Sequence, residues 1–404
     1  MSLFMQKWSR IALFNLLLVA AIGCVLRYKI IFPLSIVDQK QLLDAHSHFA
    51  FGGWVSQALM ALMVGWLSVE YGEGKFKKYR WLLYINLITS YGMLVCFSIE
   101  GYGISSISFS TLSIINSYFF TIFFWRDMAR MKKTDTVHYW FKAALIFNTT
   151  SSLGAFSLAW MMATREFHLT EYLEAQYFYL HFQYNGWFFF SGMGLLTSRL
   201  MMTAIRPQVL NRIFWLFLIA CPSAYFLSAL WIRIPLWIYL LVIISAVMQL
   251  AGWAETIRII KNNQLLLKTH FPLAARRILL LSAIALSIKL LLQLGSTIPS
   301  LSTLAFGYRP IVIGYLHLVL LAVITLFLLG SMLGSGYISV NPLTYWGIGI
   351  FSAGIVINEL LLMSQGASGM GYLIIPYANE SLFVAALILF SGVGLIFSSQ
   401  FRKK

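Results

Sequence analysis

The sequence predicts an all-α polytopic membrane protein with twelve transmembrane helices in three quasi-repeated four-helix arcs. Three observations predict it. First, the 404 residues are 60% hydrophobic and only 10% charged, with a mean hydropathy of +0.79, whereas soluble domains carry about 25% charged residues. Second, apolar runs of about 20 residues, the length that crosses a bilayer core, recur twelve times. Third, Lys and Arg alternate between the segments joining these runs as a membrane topology requires.

The runs, taken as spans 1 to 12, cover 11–33, 46–68, 80–98, 104–125, 139–163, 174–198, 210–231, 235–255, 277–298, 309–334, 343–364 and 382–400. Span 1 follows Lys7 and Arg10 and has no small-residue cleavage pattern, so it reads as a retained helix. With the N-terminus inside, 22 of the 29 basic residues fall on the cytoplasmic side, six on the other, and Lys289 lies within span 9. This split predicts that both termini are cytoplasmic. The net charge of +16 is therefore a loop property of an integral protein, expected in a bacterial inner membrane, and no nucleic-acid partner is predicted. The joining loops are too short for a folded module. The chain reads as one transmembrane domain over 1–404, with quasi-repeats near 1–135, 136–275 and 276–404.

The repeat reading rests on histidine. His46, His181 and His317 are separated by 135 and 136 residues in a chain of 404. Each lies near the start of the second span of a group of four. By residue count, His181 and His317 lie about 10–12 Å below the outer face. Ionisable side chains within spans are costly and mark candidate sites, and imidazole is the commonest metal ligand. The metal candidates are thus His46, His181 and His317.

The surrounding residues refine this. Span 2 opens with Ala45-His46-Ser47-His48-Phe49-Ala50-Phe51-Gly52-Gly53. Residues two apart on a helix point about 200° apart, so His46 and His48 cannot both face one ligand. Gly52 and Gly53 offer a flat macrocycle close access to the backbone; equally, they suit tight helix packing. Span 6 carries the polar run Tyr179-Leu180-His181-Phe182-Gln183-Tyr184-Asn185, which reads as a ligand site with a polar pocket or as an interhelical hydrogen-bond network. Span 10 carries Tyr315-Leu316-His317. Arg309, Arg233, Arg27 and Lys29 are outer-side cations suited to heme propionates. Lys289 and Glu359 read as a functional pair or a mutual ion pair. The run Asn148-Thr149-Thr150-Ser151-Ser152 reads as a water path or as hydroxyls bonded to helix carbonyls. His138, His168 and His270 read as surface residues. Cys24, Cys96 and Cys221 form no disulfide framework, and no C-x-x-C-H exists for covalent heme.

With these residues in view, the chain resembles the catalytic subunit of the heme-copper oxidase superfamily, nearest its nitric oxide reductase and cbb-type oxidase branch. That family has twelve helices in three arcs and histidines on helices 2, 6, 7 and 10. His46-Ser47-His48 stands where the family has its helix 2 His motif. His181 with Gly186-Trp187-Phe188-Phe189 stands where helix 6 carries a copper-ligand His. Tyr315-Leu316-His317 stands where helix 10 carries His-x-His. Two features depart from the pattern. Span 7 reads Cys221-Pro222-Ser223-Ala224-Tyr225 with no histidine pair, and residues 365–381 hold no Arg or Lys.

The resemblance implies a b-type heme held between His46 (or His48) and His317, with Gly52, Gly53 and Arg309 around it. It implies electron transfer or gas and redox sensing, with electron-donor or partner membrane subunits. Tyr315 would be the ligand of any second heme, and copper is not expected because its ligand set is missing. Three other readings stand beside this one. The chain is an active oxygen or nitric oxide reductase with unusual ligands. It is similar to the heme- and copper-containing membrane proteins of the nitric oxide stress response. Or it is a cofactor-free transporter or assembly protein.

Overall fold

A computed structural model of the chain describes residues 3–72, 77–131, 134–166, 168–202, 205–302, 308–370 and 375–401. Lys75, Lys132, Lys133 and the basic C-terminal residues 402–404, which contribute to the expected charge alternation, lie outside them. Among the described residues the structure is helical, with no strand. The helices, numbered α1 to α12, are α1 Leu3–Ile31, α2 Gln39–Val69, α3 Lys78–Glu100, α4 Ile104–Ala129, α5 Thr136–Thr164, α6 over 169–200, α7 Pro207–Ala229, α8 Leu236–Asn262, α9 Leu273–Gly295, α10 Arg309–Gly334, α11 Pro342–Gly369 and α12 Ala378–Ser398. A short helix, Gln264–His270, separates α8 from α9.

Ten of these are long and apolar enough to cross a membrane, and the chain is an integral membrane protein. The other two are α5 and α6. Both are helical where spans 5 and 6 are expected, but the run Asn148–Ser152 and the residues around Gln183 and Asn185 make them more polar. Large apolar side chains cover the outside: Ile104 is 86% exposed, Trp81 69% and Trp160 68%. Such surface is tolerable only against lipid or a partner.

Local signals fix several helix ends. Asp38 caps α2 by accepting from the backbone N–H groups of Lys40 at 2.8 Å and Gln41 at 2.9 Å. Gly72, at φ 81°, ends α2 in a conformation that favours glycine. Asp135 caps α5 and bonds His138, whose ring is buried; His138 is therefore a structural group of the helix start and not the surface residue expected. Burial pushes the Asp135 carboxyl up, but the bonds from His138 and the Val137 N–H outweigh it and hold it below its usual range. Pro222 removes a donor inside α7, and the helix tightens to a 3-10 turn over Ala224–Ala229.

Packing groups the chain into two compact units. The first comprises Met1–Phe120, Phe271–Ser282 and Leu316–Lys404; the second comprises Thr121–His270 and Ala283–Tyr315. The grouping does not follow the thirds of the sequence, because most of the last third joins the first. Within unit one, α11 and α12 approach closely through glycine. A methyl group on Gly392 would stand 2.5 Å from the Phe351 backbone nitrogen, and one on Gly347 would stand 2.8 Å from that of Ile396. Within unit two, a methyl on Gly154 of α5 would meet the Ala175 carbonyl of α6 at 2.5 Å. Small residues are what let helices associate inside lipid.

Gly392→Val should force α11 and α12 apart and destabilise the folded protein by about 1–3 kcal/mol. A denaturant titration of the detergent-purified protein checks this; an unchanged midpoint would contradict the packing role.

Candidate functional site

Among the described residues three helices carry a π-helical stretch, at similar intervals along the chain. Residues Ala50–Ser56 of α2, Phe182–Phe188 of α6 and Leu318–Thr325 of α10 are π-helical. They begin at residues 50, 182 and 318, intervals of 132 and 136 residues. Each follows one of the spaced histidines: His46 by four residues, His181 and His317 directly. A π-turn is a rare conformation that is frequent at functional sites.

In the first unit α2 carries His46 and α10 carries His317, and His317 is within electrostatic reach of His46. His46 lies beside the Val19 carbonyl of α1, and its buried Nδ1 has no hydrogen-bond partner. A methyl on Gly23 of α1 would stand 3.6 Å from His46 Cε1, so glycine keeps that side of the ring open. Arg27, one turn further along α1, is within electrostatic reach of His46. The two helices are also tied directly: Trp54 Nε1 donates to Thr325 Oγ1 at 2.9 Å, and that hydroxyl donates to the Leu320 carbonyl at 2.9 Å.

His48 points elsewhere, as its two-residue offset requires. Its ring stacks on Phe97 of α3, with centroids 4.2 Å apart and planes at 8°. Its Nε2 lies 3.3 Å from the Tyr102 hydroxyl. The two candidates are thus separated, and His46 is the one within electrostatic reach of His317.

The glycines expected to admit a macrocycle are used for packing. Gly52 faces α3, where a methyl would meet Ser90 Oγ at 3.0 Å and Met93 Cε at 3.3 Å. A methyl on Gly53 would lie 2.6 Å from the Phe49 ring. Their carbonyls are bonded too: Asn86 Nδ2 of α3 donates to Gly52 O at 3.0 Å, and Asn15 Nδ2 of α1 donates to Gly53 O. Asn15 Oδ1 in turn accepts from the Tyr91 hydroxyl at 2.8 Å. Arg309 is exposed at the first residue of α10, while Arg27 is the cation beside His46. Lys29 donates to loop carbonyls at Leu34, 2.6 Å away, and at Val37.

In the second unit Tyr315 is near Tyr184, which follows His181 on the π-turn of α6. His181 is 1% exposed. Its Nε2 bonds the Cys221 carbonyl at 2.9 Å, and its Nδ1 accepts from Asn185 Nδ2 at 3.1 Å. Both ring nitrogens are thus bonded within an interhelical network, the second of the two readings of this run. Lys289 Nζ of α9 donates to Asn185 Oδ1 at 2.6 Å. Lys289 thus contacts Asn185, and in the first unit Asn358 Nδ2 donates to Glu359 Oε1 at 3.2 Å. Gln183 Nε2 bonds Asn148 Oδ1 at 3.0 Å and Ser151 Oγ at 2.8 Å. The polar run of α5 therefore serves an interhelical network.

Sequence reasoning did not single out Gly23, Asn15, Asn86, Trp54 or Thr325. A usable signal existed for the asparagines, since an amide within an apolar span must find a partner. Among the described residues, no three His, Cys, Asp or Glu side chains gather as a metal site; His46 and His317 are a pair. No protein-family model matches the chain, and no curated protein is significantly similar to it.

Thr325→Val should leave the buried Trp54 N–H unpaired and cost about 0.6–1.7 kcal/mol, the range for interhelical bonds in membranes. Trp54 fluorescence in a Trp-reduced background, followed through denaturation, reads the loss. An unchanged midpoint would mean that the bond contributes nothing.

Proposed function

We propose that the chain is a divergent membrane cytochrome of the heme-copper oxidase type, holding one b-type heme between His46 and His317 for electron transfer or gas and redox sensing. The observation that carries this reading is the His46–His317 pair: two imidazoles, 271 residues apart in the sequence, lie on α2 and α10 with His317 within electrostatic reach of His46. A ligating imidazole needs one nitrogen for the metal and a carbonyl or carboxylate for the other. His46 has an orphaned Nδ1 and the Val19 carbonyl beside it, so its surroundings fit. Gly23 leaves room beside the ring, and Arg27 offers a cation to a propionate. The heme would supply a one-electron iron couple. The protein's part is to set the axial pair, exclude water and fix the spacing of α2 and α10 through Trp54 and Thr325.

The rest of the reading follows from charge and topology. In this reading the chain has twelve spans, with α5 and α6 as the two polar ones, cytoplasmic termini and the three histidines in the outer half of a bacterial inner membrane; the basic residues of the joining segments support it. Three arcs of four helices agree with the recurrence of the π-turns. With no folded module in the loops, electrons would come from a partner membrane subunit or a soluble donor. The occupied nitrogens of His181 speak against a copper centre there, and hence against full oxygen or nitric oxide reduction by a copper-dependent route.

The test is a reduced-minus-oxidised spectrum of the detergent-purified protein, with heme quantified per chain. We expect sharp bands of a six-coordinate b-type heme at one per chain. His317→Ala and His46→Ala should each lose them, while His48→Ala should keep them. A colourless wild-type protein from heme-replete cells would instead favour a transporter or assembly role. Bands that survive His46→Ala and vanish in His48→Ala would reverse the axial assignment.

A further inference from the structure

The buried cluster of Lys289, Asn185 and His181 is independent of the His46–His317 pair. Lys289 is 4% exposed, His181 1% and Asn185 8%. Among the described residues Lys289 has no carboxylate partner. The groups that face it are the Asn185 amide, the His181 ring and the Cys221 thiol. His181 faces Asn185, Lys289, the Cys221 carbonyl and the Tyr225 ring, whose centroid is 6.0 Å away. The neighbouring Gln183, Asn148 and Ser151 are neutral.

The direction of each hydrogen bond is fixed by chemistry. A lysine ammonium only donates, so Asn185 turns its Oδ1 toward Lys289 and its Nδ2 toward His181. His181 Nδ1 must then accept, and the imidazole is the neutral form that donates from Nε2 to the Cys221 carbonyl. A second arrangement satisfies every group equally. If the proton leaves Lys289 Nζ and His181 Nδ1 gains one, the amide turns over. Its Nδ2 then donates to the amine lone pair, and its Oδ1 accepts from His181 Nδ1. The Nε2 bond to Cys221 is unchanged. Both arrangements carry one positive charge and the same number of hydrogens. A doubly protonated state has no such solution, because one N–H of the amide would face another N–H.

We propose that Lys289 and His181 form a proton-exchange site that holds one excess proton, and that Asn185 enforces single occupancy by turning its amide toward whichever group is charged. The ligand of this site is the proton itself. The site gives α6 and α9 a titratable step inside the protein that needs no carboxylate.

The experiment is 15N NMR of histidine-labelled full-length protein in nanodiscs, with the His181 resonance assigned by its loss in His181→Gln. In the wild type at neutral pH, His181 should show the neutral tautomer protonated at Nε2. In Lys289→Met the amide is free to offer its oxygen, so the imidazolium should appear at a pH at least about one unit higher than in the wild type. In Asn185→Asp a carboxylate can accept from both cations, and the imidazolium should appear at a higher pH with Lys289 retained. An Nδ1-protonated neutral ring in the wild type would overturn the proposal without any variant. So would the same titration in wild type and Lys289→Met. Heme content plays no part in this readout, so its outcome is separate from that of the cytochrome reading.

Discussion

In lipid, a backbone carbonyl released from its helix partner has no water to turn to. Side chains of neighbouring helices reach carbonyls of the three π-turns, at Gly52 and Val323 in addition to the backbone N–H groups of Gln57 and Leu326. Asn15 and Asn86 meet the carbonyls of Gly53 and Gly52 on α2. Ser282 Oγ meets the Val323 carbonyl on α10 at 2.7 Å. On α6, Cys221 Sγ lies 3.8 Å from the Asn185 carbonyl. Each π-turn thus receives a donor from another helix.

The same constraint sorts the histidines. His48 stacks on Phe97 with its Nε2 at the Tyr102 hydroxyl, and His181 bonds through both ring nitrogens, to Asn185 and Cys221. His46 keeps a buried, unpartnered Nδ1. An unmet polar atom in a membrane interior is costly, and a group bound at Nδ1 would meet it. That asymmetry separates a candidate ligand from two structural rings of the same residue type.

Much of this was legible in the sequence, in proportion to how local the physics is. Composition fixes the membrane class. The equal spacing of His46, His181 and His317 marks the three places where the described helices carry a π-helical stretch, and the offset of two residues places His46 and His48 on opposite faces. The rest depends on partners distant in sequence. Nothing in Ala50–Ser56 announces a π-turn, because its carbonyls are met from α1 and α3. Gly52 and Gly53 look like an opening for a ligand until α3 and Phe49 occupy the space, whereas Gly23, which sits in an unremarkable apolar run, is the glycine beside His46. Spans 5 and 6 are helices as expected, yet the amides and hydroxyls that bind them to each other are also what make them the least apolar of the twelve.

The central claim is that His46 and His317 share one ligand. Low-temperature electron paramagnetic resonance of the oxidised, purified protein tests it most directly, because the signal reports the two axial ligands of a ferric heme. The account predicts a low-spin signal of the bis-imidazole type at one spin per chain. A high-spin signal, or one with a single imidazole, would contradict it.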